Sequence, residues 1–234
     1  MTLHDPEVVR REYASEVRLA ARKAANARGE GPDAREILFS VIAELRPRRI
    51  LEVGCGEGEL AERLQTGLGC QVVAIDQSQR MVDLTRARGI DARVGDVCDL
   101  LFEDESFDCA VAAWMLYHVD DVDLALRELA RVVRSSGHLV AVTNSSEHWR
   151  ELKELAGVEG FSTTFDAEDA EPLLSRHFAR VVSRDAAGWL TFANRAEAQE
   201  FLSATVVFAG HELPEFDGPL TVRRTPVVFV AEKT

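Results

Sequence analysis

Ile50-Leu51-Glu52-Val53-Gly54-Cys55-Gly56-Glu57-Gly58 is a short apolar strand that ends in an acidic, glycine-rich turn and runs straight into the helical pattern of Glu59 to Leu64. Glycines at 54, 56 and 58 remove side chains where the backbone must bend tightly, and they let a ligand lie against the main chain. The amides at the start of the following helix point into the same crevice. In the dinucleotide fingerprint G-x-G-x-x-G the third glycine would fall at position 59, where this chain has Glu59, and Glu52 stands just upstream inside the strand. An acid there faces a pyrophosphate badly. It suits a ligand that carries positive charge and no phosphate.

Outward from this turn, strand and helix signals alternate, the layout of a parallel sheet covered on both faces by helices. Strands are predicted at Ile50 to Val53, Val72 to Ile75, Asp91 to Val94, Cys109 to Ala113 and His138 to Thr143. Helices are predicted at Ser78 to Arg88, with Met81, Val82 and Thr85 at helical spacing, and at Asp120 to Val133. Before the turn, Asp5 to about Arg28 reads as one helix closed by Gly29-Glu30-Gly31-Pro32, and Asp33 reads as the N-cap of another that reaches Leu45. Beyond Thr143 the alternation loosens into helices at Trp149 to Ala156, Asp166 to His177 and Asn194 to Leu202, with strands at Ala179 to Arg184, Trp189 to Phe192 and Pro226 to Val230. The sheet's closing antiparallel hairpin is expected from these last strands.

With 234 residues, 46% of them hydrophobic, the chain can bury a sizeable core without splitting in two. The net charge of -13 argues against a nucleic-acid substrate, whose phosphates need an electropositive track. Cys55, Cys70, Cys98 and Cys109 form no C-x-x-C pair and have no histidine cluster beside them, so neither a zinc site nor a disulfide framework is indicated. No signal-peptide pattern and no membrane-length apolar run is present, and the expectation is a cytoplasmic protein without a membrane partner.

Asp76 ends the second strand 22 residues after Gly54, close to the spacing at which an acid in a doubly wound fold accepts hydrogen bonds from ribose hydroxyls. That indicates a nucleoside without saying which. The pattern E/D-x-G-x-G-x-G at Glu52 to Gly58 resembles motif I of class I S-adenosylmethionine-dependent methyltransferases. Gly95-Asp96-Val97 and the stretch Phe107-Asp108-Cys109 through Leu116-Tyr117-His118-Val119-Asp120-Asp121 resemble later elements of that family's small-molecule branch, in order and at family spacing. Together these motifs cover about residues 48 to 143.

The resemblance implies a mostly parallel seven-stranded α/β sheet, doubly wound and Rossmann-like, over residues 47–234, with an N-terminal helical lid over residues 1–46. It implies S-adenosylmethionine as methyl donor and S-adenosylhomocysteine as product. Carried over residue by residue, Glu52 stands near the donor's amino-acid end, Gly54, Cys55 and Gly56 under its methionine portion, Asp76 at the ribose and Asp96 at the adenine amine. Gln77, Met81 and Val97 line the adenine slot, and Trp114 offers backbone or ring surface beside the sulfonium.

His118 is the candidate general base, since an imidazole titrates in the useful range. Tyr13, Tyr117, His118 and Trp149 are candidate acceptor-binding residues. Phe161, Trp189, Phe192 and Phe208 would add to an apolar acceptor cavity if they converge with Trp149. His148 and His177 are lesser candidates, the latter reading as a helix-dipole partner, and Arg18 or Arg22 would meet the donor carboxylate. The expected reaction is methylation of an O, N or C atom of a small organic acceptor by a monomer or homodimer. A tRNA or protein methyltransferase, a nicotinamide-dependent oxidoreductase and a donor-binding protein without turnover are the rivals.

Overall fold

Asp33 starts the first described helix, α1 (Ala34–Leu45), its carboxylate accepting from the Arg35 amide at 2.8 Å. The computed structural model of the chain describes residues 28–158, 163–208 and 210–234. After α1 come β1 (Arg49–Val53), α2 (Glu59–Leu68), β2 (Gln71–Asp76), α3 (Gln79–Ala87), β3 (Asp91–Val94) and β4 (Phe107–Ala113). A 3-10 turn (Leu116–His118), α4 (Val122–Val132), β5 (Val133–Asn144), α5 (Arg150–Leu155), α6 (Ala167–Leu174) and β6 (Arg180–Asp185) follow. The chain closes with β7 (Gly188–Phe192), α7 (Arg195–Ser203), a second 3-10 turn (Val206–Phe208), β8 (Leu220–Arg224) and β9 (Pro226–Glu232).

Seven strands form one sheet in the order β3-β2-β1-β4-β5-β9-β6. Pairs from β3 to β5 are all parallel, and β9 runs antiparallel to both β5 and β6. Successive side chains of a strand point to opposite faces, so Leu51 and Val53 enter the core under α4 and α6, while Ile50 enters the one under α1, α2 and α3. The chain turns from one side of the sheet to the other between β1 and β4. In an open α/β sheet this is where a ligand crevice forms, outside the carboxyl ends of the strands.

Helix α1 is part of the sheet's cover, with Leu38 and Ile42 fully buried against the face that holds Ile50 and Val142. The expected lid helix Asp5 to Arg28 falls almost wholly in residues 1–27, outside the described residues.

The closing antiparallel pair comes from the last strands as expected, but without Trp189 to Phe192. The sheet's antiparallel members are β6 and β9, while Trp189 to Phe192 pairs with Leu220 to Arg224 in a separate two-stranded sheet. Residues 188–224 thus form an insertion between two adjacent strands, and β6 and β9 close on each other across its base through the Ala186 amide and the Pro226 carbonyl at 3.0 Å. The insertion buries Leu190, Phe192, Phe201, Leu202, Phe208 and Val222 in a core of its own, with Leu152 of α5. An exposed edge strand cannot bury that much apolar surface, so the segment folds back on itself. Glu30, just ahead of α1, is tied to it by reciprocal backbone bonds with Trp189 of 2.8 and 2.9 Å.

Candidate cofactor site

At the carboxyl end of β1 the three glycines of the turn all have positive φ, for different reasons. A Cβ on Gly54 would lie 2.7 Å from the Met115 Cβ, and one on Gly58 would lie 2.7 Å from the Thr85 hydroxyl. One on Gly56 would meet nothing within 4 Å. Gly54 and Gly58 are therefore packed against protein, and Gly56 borders open space. The turn is held by the Cys55 amide on Ile75 O at 3.1 Å and by the Gly58 amide on Cys55 O at 3.0 Å.

Asp76 closes the site from the end of β2. Its Oδ2 accepts the Gly56 amide at 3.0 Å and its Oδ1 the Ser78 amide at 2.9 Å, so the residue read as a ribose contact also fixes the glycine turn. Burial raises its pKa, and the two amides oppose the rise. Glu52 lies beside it, 3% exposed, and its Oε2 has no hydrogen-bond partner. Burial first and the neighbouring Asp76 charge second push Glu52 up to about 8, with the Ala61 amide of α2 pulling the other way. Burial also pushes the Cys55 thiol up to about 12, which makes it an inert packing group.

At the carboxyl end of β3, the Gly95 amide donates to Asp76 O at 3.1 Å, which brings the Gly95-Asp96-Val97 element beside β2. Asp96 is exposed, and its Oδ1 caps its own turn through the Cys98 amide at 2.8 Å. Met81 and Val97 are buried, and Gln77 is exposed.

At the carboxyl end of β4, Trp114 takes a left-handed conformation with φ 54° and its amide bonds Val142 O at 2.8 Å. Its ring packs on the α1 side, with the Arg35 guanidinium 5.9 Å from the ring centre and the indole nitrogen 3.4 Å from Asn144 Oδ1. The side chain that reaches the glycine turn is that of Met115. Tyr117 and His118 follow in the 3-10 turn, half-buried, with ring centroids 4.5 Å apart. Thr164 braces this turn by donating to Val119 O at 2.8 Å.

The expected aromatic acceptor cavity gives way to a different arrangement. Phe192 and Phe208 are fully buried in the insertion's core, Trp149 packs edge-on to Phe201 with centroids 5.0 Å apart, and Trp189 is 47% exposed. Phe192, Phe201 and Phe208 fill the inserted unit, with Trp149 packed against them, because it is too small to bury a core without them. His148 accepts the Thr225 amide at 2.9 Å, and burial, with Lys153 and Arg224 nearby, brings it down to about 3. His177, just past the end of α6, bonds the Asp123 carboxylate of α4 at 3.1 Å. Tyr13, Arg18, Arg22 and Phe161 lie outside the described residues.

Glu52, Gly54, Cys55, Gly56 and Asp76 thus form one cluster, Asp96 and Val97 follow the end of β3 beside it, and Trp114, Tyr117 and His118 follow the end of β4. Met115 and Asn144, from the β4 loop and the segment Asn144 to Phe161 expected to shape the acceptor side, join this neighbourhood, and Thr85 and Thr164 join it without having been given a role from the sequence. The one local signal was at Thr85, a hydroxyl on the otherwise apolar stripe of α3.

The chain matches the methyltransferase-domain family over residues 51–141. It is 34% identical over 106 residues to the O-methyltransferase rstn1 of Aspergillus nomiae, covering 42% of this chain and 47% of the relative. It is 38% identical over 111 residues to a ubiquinone biosynthesis O-methyltransferase of Xanthomonas oryzae, covering 44% and 46%. The chain thus spans about half the length of these curated relatives. In fold it is similar to a solved structure titled a putative methyltransferase from Bacillus halodurans, with TM-score 0.61, 19% identity, and coverage of 86% of this chain and 98% of that one. These matches, together with the mostly parallel seven-stranded sheet, support a class I S-adenosylmethionine-dependent methyltransferase.

Proposed function

We propose that the protein binds S-adenosylmethionine along the carboxyl ends of β1 to β4 and transfers its methyl group to an O, N or C atom of a small organic acceptor. The observation that carries this reading is Glu52, a buried acid beside Asp76 with one carboxyl oxygen that has no hydrogen-bond partner. A buried acid without a counter-charge is costly, and a ligand ammonium relieves that cost. Asp76 keeps acceptor capacity beyond its two amide bonds and is assigned to the ribose. Met81 and Val97 supply apolar surface for the adenine, with Asp96 at its amine.

The bound donor supplies a methyl group already activated by a positively charged sulfur. The protein's share is then alignment, exclusion of water and removal of the acceptor's proton. His118 is assigned to that proton, with Tyr117 and the Trp114–Met115 turn shaping the acceptor side. The O-methyltransferase names of two relatives favour a hydroxyl acceptor, and the net charge of -13 favours a small molecule over a nucleic acid. The test is transfer of labelled methyl across a panel of small hydroxyl, amine and activated-carbon acceptors, with tRNA and peptides alongside. Transfer to a small acceptor is expected. Transfer only to tRNA or peptide, or none despite donor binding, overturns the assignment. His118→Ala is expected to retain donor binding and lose roughly 10²–10⁴-fold in kcat, the usual share of a general base; unchanged kcat removes His118 from that role.

A further inference from the structure

The segment that follows β2 grips the glycine turn from two sides. At its start, Asp76 Oδ2 accepts the Gly56 N–H at 3.0 Å. Near its end, the Thr85 hydroxyl of α3 donates to the Gly56 carbonyl at 2.9 Å. Both backbone polar groups of Gly56 are thereby held by one stretch of chain, and Gly56 is the glycine that borders open space. Arg88, one turn further, donates its Nε to the Glu57 carbonyl at 2.7 Å and its Nη1 to Glu62 of α2 at 2.6 Å. Two consecutive peptide carbonyls are thus drawn outward, toward α3.

Thr85 is fully buried, between Gly58 on one side and the Cys55 sulfur at 3.5 Å on another. Packing alone would be served by valine, which fills nearly the same volume and needs no partner. The hydroxyl is matched to the carbonyl that faces it, and without it that carbonyl keeps only the weak Cys55 thiol donor 3.9 Å away.

We propose that Thr85 and Arg88 are positioning residues of the donor site, holding the peptide planes of Gly56 and Glu57 in the orientation that receives the donor's methionine portion. The role rests on the donor reading given above. It is one of preorganisation, since a turn already set in its binding geometry does not lose affinity in becoming ordered.

The test is calorimetric titration of the full chain with S-adenosylhomocysteine, alongside thermal denaturation. Thr85→Val is expected to weaken binding about tenfold, the equivalent of one lost hydrogen bond. Thr85→Ser is expected to restore affinity to within about twofold of wild type by the same arithmetic. Val82→Ala, a fully buried neighbour on α3, serves as the structural control: it lowers the melting temperature and leaves affinity unchanged. Arg88→Met, at a partly exposed position, is expected to weaken binding about threefold and decides the matter should Thr85→Val not fold. At saturating acceptor, the losses appear in KM for the donor and spare kcat. Wild-type affinity in folded Thr85→Val, or in Arg88→Met where Thr85→Val does not fold, overturns the positioning role alone. Failure of the wild-type protein to bind S-adenosylhomocysteine overturns the donor reading and this role with it.

Discussion

Gly56 has φ 54° and empty space where a Cβ would stand, whereas Gly54, with φ 68°, has Met115 in that place. Alanine at Gly56 carries only the left-handed strain, about 1–2 kcal/mol, but its methyl group projects into the space assigned to the donor. Gly54→Ala carries the same strain and a 2.7 Å clash besides. Denaturant unfolding should therefore rank Gly54→Ala as the less stable protein, while Gly56→Ala loses S-adenosylhomocysteine binding beyond what its stability explains. The reverse ranking would show that the open space lies elsewhere.

Glu52 adds a pH signature. Its pKa is raised from 4.5 to about 8 in the folded chain, so its contribution to stability is fully present below 4.5 and is lost as pH rises through about 8. Wild type should lose stability over that window relative to Glu52→Gln, as read from melting temperatures. Donor binding has the opposite sign, since an ammonium favours the ionised acid, and affinity should rise with pH and level off above about 8 in wild type only. A stability difference between the two proteins that is flat with pH would contradict the buried, unpaired state of this carboxylate. Glu52, Gly56 and Asp76 were legible in the sequence because the demands on them arise within one turn and one strand end. Thr85 was not, because its bond to Gly56 joins residues 29 apart that meet only once α3 has docked.

Among the elements, β1, β2 and β4 follow the sequence closely, since a parallel strand buried on both faces writes a continuous apolar run, whereas β5 starts at Val133, five residues ahead of the predicted His138. The F-D element of β4 proves to be a tie: Asp108 accepts the Arg48 and Arg49 amides at 2.7 and 2.9 Å and the Arg134 guanidinium at 2.6 Å, at the end of the sheet opposite the site. The insertion was not legible, because the alternating burial of Trp189 to Phe192 specifies a half-buried strand and not which sheet receives it. Its separate core predicts separate behaviour. Phe201→Ala should cost about 3–5 kcal/mol, and hydrogen exchange should show amides of β7 and β8 opening ahead of those of β4. Uniform loss of protection across β4 and β7 would mean that the two cores unfold as one.

For the molecule as a whole, one sheet carries two helix-covered cores and an appended third, and the ends of β1 to β4 gather the residues that the motifs single out. Among the described residues no helix is long and apolar enough to cross a membrane. The turn at Gly54 to Gly58, with Glu52 behind it and Asp76 across from it, is assigned to an adenosyl donor carrying positive charge and no phosphate. Calorimetric titration of wild type and Asp76→Ala with S-adenosylhomocysteine and with NADH tests this assignment most directly. The account predicts one saturable site for S-adenosylhomocysteine in wild type, none in Asp76→Ala and none for NADH in either. Binding of NADH in place of S-adenosylhomocysteine, or undiminished binding by Asp76→Ala, would contradict it.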